Sequence, residues 1–514
     1  MKILLVDLFG ATESTGINLG LGYLSAHLRA AGHQVSLLDT VNIRTGPVDE
    51  RIKKAVGGYN PGLIGFPVYN ITYKSAKEYI EKLRKYYSGK IVVGGPEILG
   101  LGAKSLEDMT GADFAVLGEG EVTMVELVDA LERKNGKKEL EGIAGLVWWD
   151  GDRLVENMAR VNDKNVDKLL FPDYEIYGGQ GMDVYPINTS RGCPYSCSFC
   201  FMPVKKWRAR SPENIIEELK MAKEKYNISL FHIVDASFNM RPRRIVEFCD
   251  LLIEENIDLP WVIQGFRADR APEDLLEKMY RAKCKRIWVG VESLDEEVYA
   301  QINKGETMEE IIESVKKMRK YDWEIFGYMI IGLPGDTLKK TVTSFEKAQK
   351  MGFDVLAYST ATHMTGTPLA DWVLNNDDVN TLSDSYSMSS IGDKYDEVAY
   401  ETPEFTAEER KLARKIISIK AGTYNDSSLS PNAHRIMKWL LVLRYDAKNV
   451  FRHIRRSIHY RLNYDKNVDK INLNRGLRLA RVPDGTWGLG KYDRLQPIED
   501  PIVIDLKDVA SYTG

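Results

Sequence analysis

The sequence reads YPINTSRGCPYSCSFC over residues 185–200. Its first part, Tyr185 to Ser190, is a short apolar run of the kind that forms a buried strand, and a turn with glycine follows. Cys193, Cys197 and Cys200 then fall within eight residues, in the spacing CxxxCxxC. Three thiolates this close can converge on one soft metal centre, and cysteine thiolates are the usual ligands of a 4Fe-4S cluster. Three ligands instead of four would leave one iron open to a further ligand.

The remaining metal donors do not suggest another centre. Zinc sites more often combine paired CxxC motifs with further Cys or His ligands. Here Cys249 and Cys284 are isolated in the sequence, and the seven His are scattered. The cysteine triplet is therefore interpreted as an iron–sulfur site.

Strands and helices alternate from residue 185 to 375. The pattern predicts six repeated strand–helix units, which indicate a partial or full (β/α) barrel with its chemistry at the carboxyl ends of the strands. The predicted strands are Tyr185–Ser190, Leu230–Val234, Trp261–Gly265, Arg286–Gly290, Glu324–Ile331 and Val355–Ser359.

Residues 1–145 show the same alternation, with apolar strands that look buried on both faces. This pattern is typical of a doubly wound, Rossmann-like parallel sheet, which binds ligands at the carboxyl ends of its strands. The predicted strands are Ile3–Asp7, Gln34–Asp39, Leu63–Phe66, Lys90–Val93 and Ala112–Leu117. Gly94 and Gly95 follow one of them, and glycine lets the backbone approach a bulky ligand closely.

Two further segments complete the chain. Residues 146–184 are predicted to be a linker with a hairpin, and residues 376–514 a mainly helical, basic region. Between Arg435 and Arg481 thirteen Lys or Arg face three Asp, so this segment carries +10 and the remainder of the chain −14. Its apolar residues recur at helical spacing, which suits contact with an anionic membrane or an acidic partner, or packing on the barrel.

Composition excludes several classes of protein. The chain has 514 residues, 44% hydrophobic and 28% charged, which is typical of a multidomain globular protein. Five cysteines exclude a disulfide scaffold. No signal peptide or run of membrane-spanning length is evident, so a cytoplasmic location is expected. A net charge of −4 gives no overall field for nucleic acid, and no nucleic-acid partner is expected.

The cysteine motif resembles the signature of the radical S-adenosylmethionine (SAM) superfamily. Supporting segments follow the predicted barrel strands in the expected order, from Asp235-Ala-Ser-Phe to Gly332-Leu-Pro-Gly. The resemblance implies that the three cysteines bind a 4Fe-4S cluster whose open iron chelates SAM. It also implies SAM contacts, which are Phe199, Asp235, Arg267, Glu292 and Ser293. Ala236 departs from the usual pattern, in which a second acidic residue stands at this position.

The N-terminal motifs Gly94-Gly-Pro-Glu and Gly118-Glu-Gly-Glu are similar to those of the cobalamin-binding domain in one class of this superfamily. The resemblance implies cobalamin contacts, which are Thr12, Glu13, Ser14, Tyr69, Asn70, Gly94, Gly95, Pro96, Gly118 and Glu119. The DxHxxG motif that supplies a histidine ligand to cobalt elsewhere is absent. Some relatives keep this domain without binding cobalamin.

The resemblance implies a cobalamin-dependent C-methyltransferase. Hydrogen would be abstracted from an unactivated carbon by a 5'-deoxyadenosyl radical, and the methyl group would come from methylcobalamin. Tyr328 or Tyr358 could serve the substrate, or simply pack. The alternatives are a radical SAM cyclase or rearrangement enzyme without methyl transfer and a non-catalytic corrinoid sensor. Methylthiolation is disfavoured because the N-terminal cysteines of a second cluster are missing.

The sequence does not identify the substrate, because substrate contacts lie in variable loops. A small molecule, a lipid, a tetrapyrrole and a peptide or protein side chain all remain open. An external electron donor such as flavodoxin or ferredoxin is expected to reduce the cluster.

Overall fold

A computed structural model of the chain describes residues 1–8, 17–40, 47–133, 137–178, 182–202, 204–383 and 398–421, with short pieces at 440–441, 444, 479–481 and 487–489. Three of the predicted cobalamin contacts, Thr12, Glu13 and Ser14, lie outside the described residues. Most of the basic segment between Arg435 and Arg481 also lies outside them.

The N-terminal part is built on a parallel sheet with helices on both faces, as the alternation predicts. Its strands are β1 (Lys2–Asp7), β2 (Gln34–Asp39), β3 (Leu63–Pro67), β4 (Lys90–Gly94) and β5 (Phe114–Val116), in the order β2-β1-β3-β4-β5. Its helices are α1 (Leu19–Ala30), α2 (Val48–Tyr59), α3 (Tyr73–Leu83), α4 (Pro96–Leu101), α5 (Lys104–Asp108), α6 (Gly120–Arg133) and α7 (Lys137–Glu141). One apolar core packs α1 and α6 on the sheet, and a second packs α2 and α3 on its other face.

The predicted hairpin is present but does not belong to a linker. Strands β6 (Leu146–Asp150) and β7 (Arg153–Glu156) pair with each other, and β6 pairs antiparallel with β5. The first sheet therefore has seven strands, and the boundary expected at residue 145 moves beyond Glu156. The reason is that the apolar residues Leu146, Val147 and Trp148 are buried against the same cores as β5.

The second part is a partial barrel of six parallel strands, each hydrogen-bonded to the next in sequence order. Its strands are β8 (Val184–Ile187), β11 (Leu230–Ile233), β12 (Trp261–Phe266), β13 (Cys284–Glu292), β14 (Glu324–Ile331) and β15 (Val355–Thr360). Two short strands after β8, namely β9 (Ser190–Arg191) and β10 (Arg208–Ala209), pair antiparallel with each other. The helices are α8 (Pro212–Tyr226), α9 (Pro242–Glu254), α10 (Glu273–Arg281), α11 (Glu296–Ala300), α12 (Met308–Met318), α13 (Leu338–Met351) and α14 (Pro368–Leu374).

The inner and outer faces of this barrel have separate cores. Side chains from all six strands meet in a small inner cluster that includes Val184, Val262 and Phe326, as expected for a sheet that curves around its interior. A much larger outer cluster packs the strands on their helices. The structure thus settles the prediction of a partial or full barrel in favour of a partial one.

The C-terminal part contributes β16 (Asn380–Thr381), β17 (Tyr400–Glu401), α15 (Ala407–Ala421), β18 (Leu479–Arg481) and β19 (Trp487–Leu489). Helix α15 packs beside α13, and the buried Arg410 donates to the carbonyl of Gly332 at 3.1 Å. The first part of this region is thus attached to the barrel. Within the described ranges, no helix combines the length and apolar character needed to cross a membrane.

Candidate functional site

A cavity of about 430 Å³ lies where the carboxyl edge of the first sheet faces the barrel. The sheet contributes the loops after β3, β4 and β5, and the barrel contributes residues on both sides of the cysteine motif. Arg191, Gly192, Phe201, Met202 and Ala236 line it from the barrel side. The two domains therefore share one site.

Six of the ten predicted cobalamin contacts line this cavity. They are Tyr69, Gly94, Gly95, Pro96, Gly118 and Glu119. Asn70 does not line it, but its side-chain nitrogen is buried with no partner among the described residues. Asn18, Tyr23, Glu121, Phe201 and Met202 also line the cavity and were not predicted. The position of Phe201 directly after Cys200 was a signal that could have found one of them.

These residues fit a large ligand with a flat apolar face and polar edges. Gly95 has φ of 108°, and a Cβ there would lie 2.7 Å from the carbonyl oxygen of Val68. Gly118 has φ of 94° and open space where a Cβ would stand. Glycine is strongly favoured at both positions, because other residues rarely adopt this left-handed backbone. The loops can therefore approach a corrin ring closely.

Tyr69 connects the cavity to a buried carboxyl group. Its hydroxyl donates to Oδ1 of Asn18 at 3.3 Å, and Nδ2 of Asn18 donates to Asp7 at 3.4 Å. The hydroxyl of Tyr177 donates to the other oxygen of Asp7 at 2.7 Å. Burial raises the pKa of Asp7 to about 7, although the hydrogen bond from Tyr177 opposes this shift.

Charged contacts tie the loop before α6 to the pair of short strands that flanks the cysteines. Arg191 lies 3.2 Å from a carboxylate oxygen of Glu119 and 2.7 Å from one of Glu121. Arg208 also pairs with Glu119. Burial alone would raise the pKa of Glu121, but the Arg191 guanidinium outweighs it and holds this pKa below its usual range. The guanidinium of Arg191 also lies over the ring of Tyr23, 4.6 Å from its centre.

The three cysteines lie between β9 and β10, in residues 192–202 and 204–207, which we call the cysteine loop. All three are partly exposed, whereas Cys249 and Cys284 are buried. Burial, and then the neighbouring thiols, raise the pKa of Cys200 to about 11. A bound metal centre stabilises the thiolate form and would lower this pKa. The three thiols therefore fit the predicted cluster.

The cysteine loop is anchored on the barrel at several points. The amide of Ser198 donates to the carbonyl of Ile302 at 2.9 Å, and the amide of Leu369 donates to the carbonyl of Ser198 at 2.9 Å. The guanidinium carbon of Arg267 lies 3.4 Å from the centre of the Tyr195 ring. These contacts fix Tyr195 and Ser198, on either side of Cys197, against the barrel.

Four of the five predicted SAM contacts, all except Phe199 of the cysteine loop, lie at the carboxyl ends of β11, β12 and β13, but most are engaged with the protein itself. Asp235 accepts from the amide and hydroxyl of Thr189 and from the hydroxyl of Ser190, each at 2.6 Å. Arg267 donates to the carbonyls of Lys304 and Gly305 at 3.0 and 3.1 Å. These two residues position backbone around the site.

The other three predicted SAM contacts are also buried or packed. Ser293 accepts from the amide of Asp295 at 3.2 Å, and Phe199 packs in a small cluster beside α14. Glu292 lies 3.2 Å from the ammonium of Lys304, and burial raises its pKa despite this cation. Glu292 also has a left-handed φ of 58°, a strained backbone that is common at functional sites.

Two polar groups near the cysteine loop were missed by sequence reasoning. The hydroxyls of Ser237 and Tyr299 are buried without a partner in the part of the chain that the structure describes. Ser237 comes two residues after Asp235, at the carboxyl end of β11. A buried hydroxyl without a partner is costly, so these atoms are candidate ligand contacts. None of the predicted SAM contacts lines the cavity between the domains.

The two tyrosines predicted for the substrate differ in placement. Tyr358 packs edge-on against Phe345 of α13, at 6.4 Å between ring centres, and is 2% exposed. It lies in the outer core of the barrel, a placement that favours packing over contact with a substrate. Tyr328 lies two residues from Phe326 on the inner face of β14 and is 37% exposed.

Comparison with known proteins agrees with this arrangement. The profile of the B12 binding domain matches residues 6–128, and that of the radical SAM superfamily matches residues 187–348. An uncharacterised methyltransferase of Pyrococcus horikoshii is 29% identical over 401 residues, 74% of this chain and 85% of the relative. An anaerobic magnesium-protoporphyrin IX monomethyl ester cyclase of Cereibacter sphaeroides is 28% identical over 290 residues, 54% of this chain and 47% of the cyclase.

A solved structure shares the fold. The radical SAM methyltransferase TsrM from Kitasatospora setae, with cobalamin and a 4Fe-4S cluster bound, matches with a TM-score of 0.66 at 16% identity, over 83% of this chain and 89% of that chain. The two family profiles cover the first sheet and the barrel, whose facing edges form the cavity. The chain therefore belongs to the radical SAM superfamily, in the class whose members carry a B12-binding domain before the radical SAM domain.

Proposed function

We propose that the chain is a cobalamin-dependent radical SAM C-methyltransferase. The observation that carries the proposal is the shared cavity, whose walls come from the glycine loops of the first sheet and from both sides of the cysteine motif. A corrin held there would face the cysteine loop directly. The Pyrococcus horikoshii relative, which carries the name of a methyltransferase, supports the same reaction.

When bound, the cluster and SAM supply a hydrogen-abstracting radical, and cobalamin supplies the methyl group. The chain's own part is to hold these groups and to exclude water. Phe201, Met202 and Leu99 give the cavity an apolar lining, which protects reactive species from solvent. Cys193, Cys197 and Cys200 would hold the cluster. Gly95 and Gly118 would admit the corrin edge.

A cyclase or rearrangement enzyme is the second candidate. The observation that favours it is the match to the magnesium-protoporphyrin ester cyclase, although the chain spans about half of that relative's length. Both candidates need the same cofactors, so the cavity does not distinguish them. The two reactions differ in the products that they form from SAM.

The experiment uses the full chain, purified without oxygen, reconstituted with iron, sulfide and hydroxocobalamin, and reduced in the presence of SAM. A methyltransferase should form both S-adenosylhomocysteine and 5'-deoxyadenosine. Formation of 5'-deoxyadenosine alone would favour the cyclase. Absence of both, with corrin bound, would overturn both and leave a corrinoid sensor. The variant Cys197→Ala should lose 5'-deoxyadenosine formation.

We also propose the setting of the reaction. An external flavodoxin or ferredoxin would reduce the cluster, and the partial exposure of the three cysteines is compatible with a nearby electron donor. The low cysteine count supports a cytoplasmic site of action. The substrate remains a small molecule, a lipid, a tetrapyrrole or a peptide side chain. Contact of the basic segment with a membrane or an acidic partner remains a prediction.

A further inference from the structure

The strands that begin and end the cysteine loop carry two arginines directly opposite each other. Arg191 of β9 and Arg208 of β10 are cross-strand partners in an antiparallel pair. Their side chains are only 14% and 4% exposed. Like charges at such positions repel each other, and burial strengthens the repulsion. The few backbone hydrogen bonds between two strands of two residues each would not overcome this repulsion alone.

The compensating charges come from the other domain. Glu119 lies 3.2 Å from Arg191 and also pairs with Arg208, and Glu121 lies 2.7 Å from Arg191. Two guanidinium groups thus meet two carboxylates. We call Glu119, Glu121, Arg191 and Arg208 the carboxylate clamp. Because Glu119 contacts both arginines, it joins the start and the end of the cysteine loop to the first sheet.

The barrel holds the same strands from the opposite side. Asp235 accepts three hydrogen bonds from Thr189 and Ser190, immediately before Arg191. Arg244 donates to the carbonyl of Thr189 at 3.1 Å. The base of the cysteine loop is therefore fixed between a barrel anchor and an anchor in the B12-binding domain.

The anchor in the B12-binding domain also forms part of the wall of the shared cavity. Gly118, Glu119 and Glu121 line the cavity together with Arg191 and Gly192. A ligand that fixes Gly118, Glu119 and the first turn of α6 would also restrict the clamp, and through it the base of the cysteine loop. A coupling between two binding sites is reciprocal, so the cluster should in turn favour the loop conformation that binds the corrin.

We propose that the carboxylate clamp is a set of positioning residues that couples corrin binding to the geometry of the cysteine loop. The inference rests on the proposed function, since it requires that the cavity binds cobalamin and that the cysteines bind a cluster. The proposed coupling affects the affinity for cobalamin and assigns no step of the reaction to these four residues. The expected effect is a higher affinity for cobalamin when the cluster is present.

The test measures hydroxocobalamin affinity by absorption titration, with the full chain in two forms, reconstituted with the cluster and cluster-free. The reconstituted protein should bind more tightly, by a factor on the order of ten. In the double variant Glu119→Gln, Glu121→Gln this ratio should fall below about two.

The matched control is Glu126→Gln, on the same helix α6. Glu126 pairs with Arg160 and does not contact the strands that flank the cysteine loop. It should keep the wild-type ratio. If the double variant unfolds, Arg191→Lys is the second test: lysine retains the positive charge but lacks the two nitrogens that contact Glu119 and Glu121 separately, and it should lower the ratio by itself.

The outcomes separate the two proposals. A wild type that binds cobalamin with equal affinity in both forms, or a double variant that keeps the full ratio, overturns the coupling and leaves the proposed function intact. A wild type that binds no cobalamin in either form overturns the proposed function and the coupling with it.

Discussion

Glu292, at the carboxyl end of β13, combines burial, a rare backbone conformation and a buried ion pair. It is buried, sits in a left-handed conformation that side chains rarely adopt, and pairs with a buried lysine. Lys304 also lies 2.9 Å from a carboxylate oxygen of Glu306. A backbone strain of about 1–3 kcal/mol is tolerated only where the surroundings enforce it. The strain therefore marks the carboxyl end of β13 as a place shaped for binding.

At the same scale, Asp7 should make stability depend on pH. Its folded-state pKa of about 7 exceeds the ordinary value of 3.8, so the folded chain keeps a proton that the unfolded chain has released. Its contribution to the free energy of unfolding is therefore complete below about pH 4 and is lost as the pH rises towards 7 and above.

The variant Asp7→Asn should remove this pH dependence, because the amide does not ionise. The measurement is the urea midpoint at several values between pH 5 and 8. Asp152→Asn, in the exposed turn between β6 and β7, is the control and should keep the wild-type profile. An Asp7→Asn protein that loses stability with rising pH as steeply as the wild type would contradict the assignment.

Among the elements, the pair β9 and β10 has only two residues in each strand and depends on side chains from elsewhere. Asp235, at the end of β11, supplies three of these contacts. Hydrogen bonds to a charged group contribute about 1.5–3 kcal/mol each, and loss of the carboxylate leaves the Thr189 amide without its acceptor. The base of the cysteine loop should therefore be sensitive to this single residue.

The variant Asp235→Ala should lower the urea midpoint and reduce the iron bound per chain after reconstitution. Asp235→Asn keeps one acceptor oxygen, so its urea midpoint and its iron content should fall less than those of Asp235→Ala. The comparison of the two variants separates the hydrogen bonds from the negative charge. Wild-type iron content and stability in Asp235→Ala would show that the loop is held without it.

The elements themselves were largely predictable, and their contacts were not. The predicted strands Leu230–Val234 and Val355–Ser359 agree with β11 and β15 to within one residue, because apolar runs between turns are a local signal. The pairing of β6 with β5 depends on distant residues, so local sequence alone predicts a hairpin but not the sheet that it joins. The hydrogen-bond partners of Asp235 likewise lie on another strand. The cysteines were predictable because their spacing is itself the signal.

In the whole molecule, the segment before β8 locks the two domains together. Tyr174 is fully buried in the barrel core, and a Cβ on Gly22 of α1 would collide with its ring. Asp173 accepts from Ser25 at 2.9 Å and from Arg29 at 2.7 Å. This docking joins α1, which lines the shared cavity, to the barrel. The apolar core of each domain is nevertheless formed mostly by its own residues, so we expect each domain to retain its own ligand.

Replacement of Cys193, Cys197 and Cys200 by Ala should therefore remove the cluster while corrin stays bound, at reduced affinity. The measurement is the absorption spectrum after reconstitution with iron, sulfide and hydroxocobalamin. The corrin bands should persist and the cluster absorption should vanish. Loss of both would show that the two sites do not have separate roles.

The exposure of the thiols has a practical consequence for anyone who handles the protein in air. Three of the five cysteines are partly accessible to dissolved oxidants, while Cys249 and Cys284 are shielded in the outer core of the barrel. Oxidative damage follows exposure, so sulfenic acids or mixed disulfides would form first on the thiols that must later bind iron. Such a preparation would keep its fold and its other thiols and yet accept no cluster.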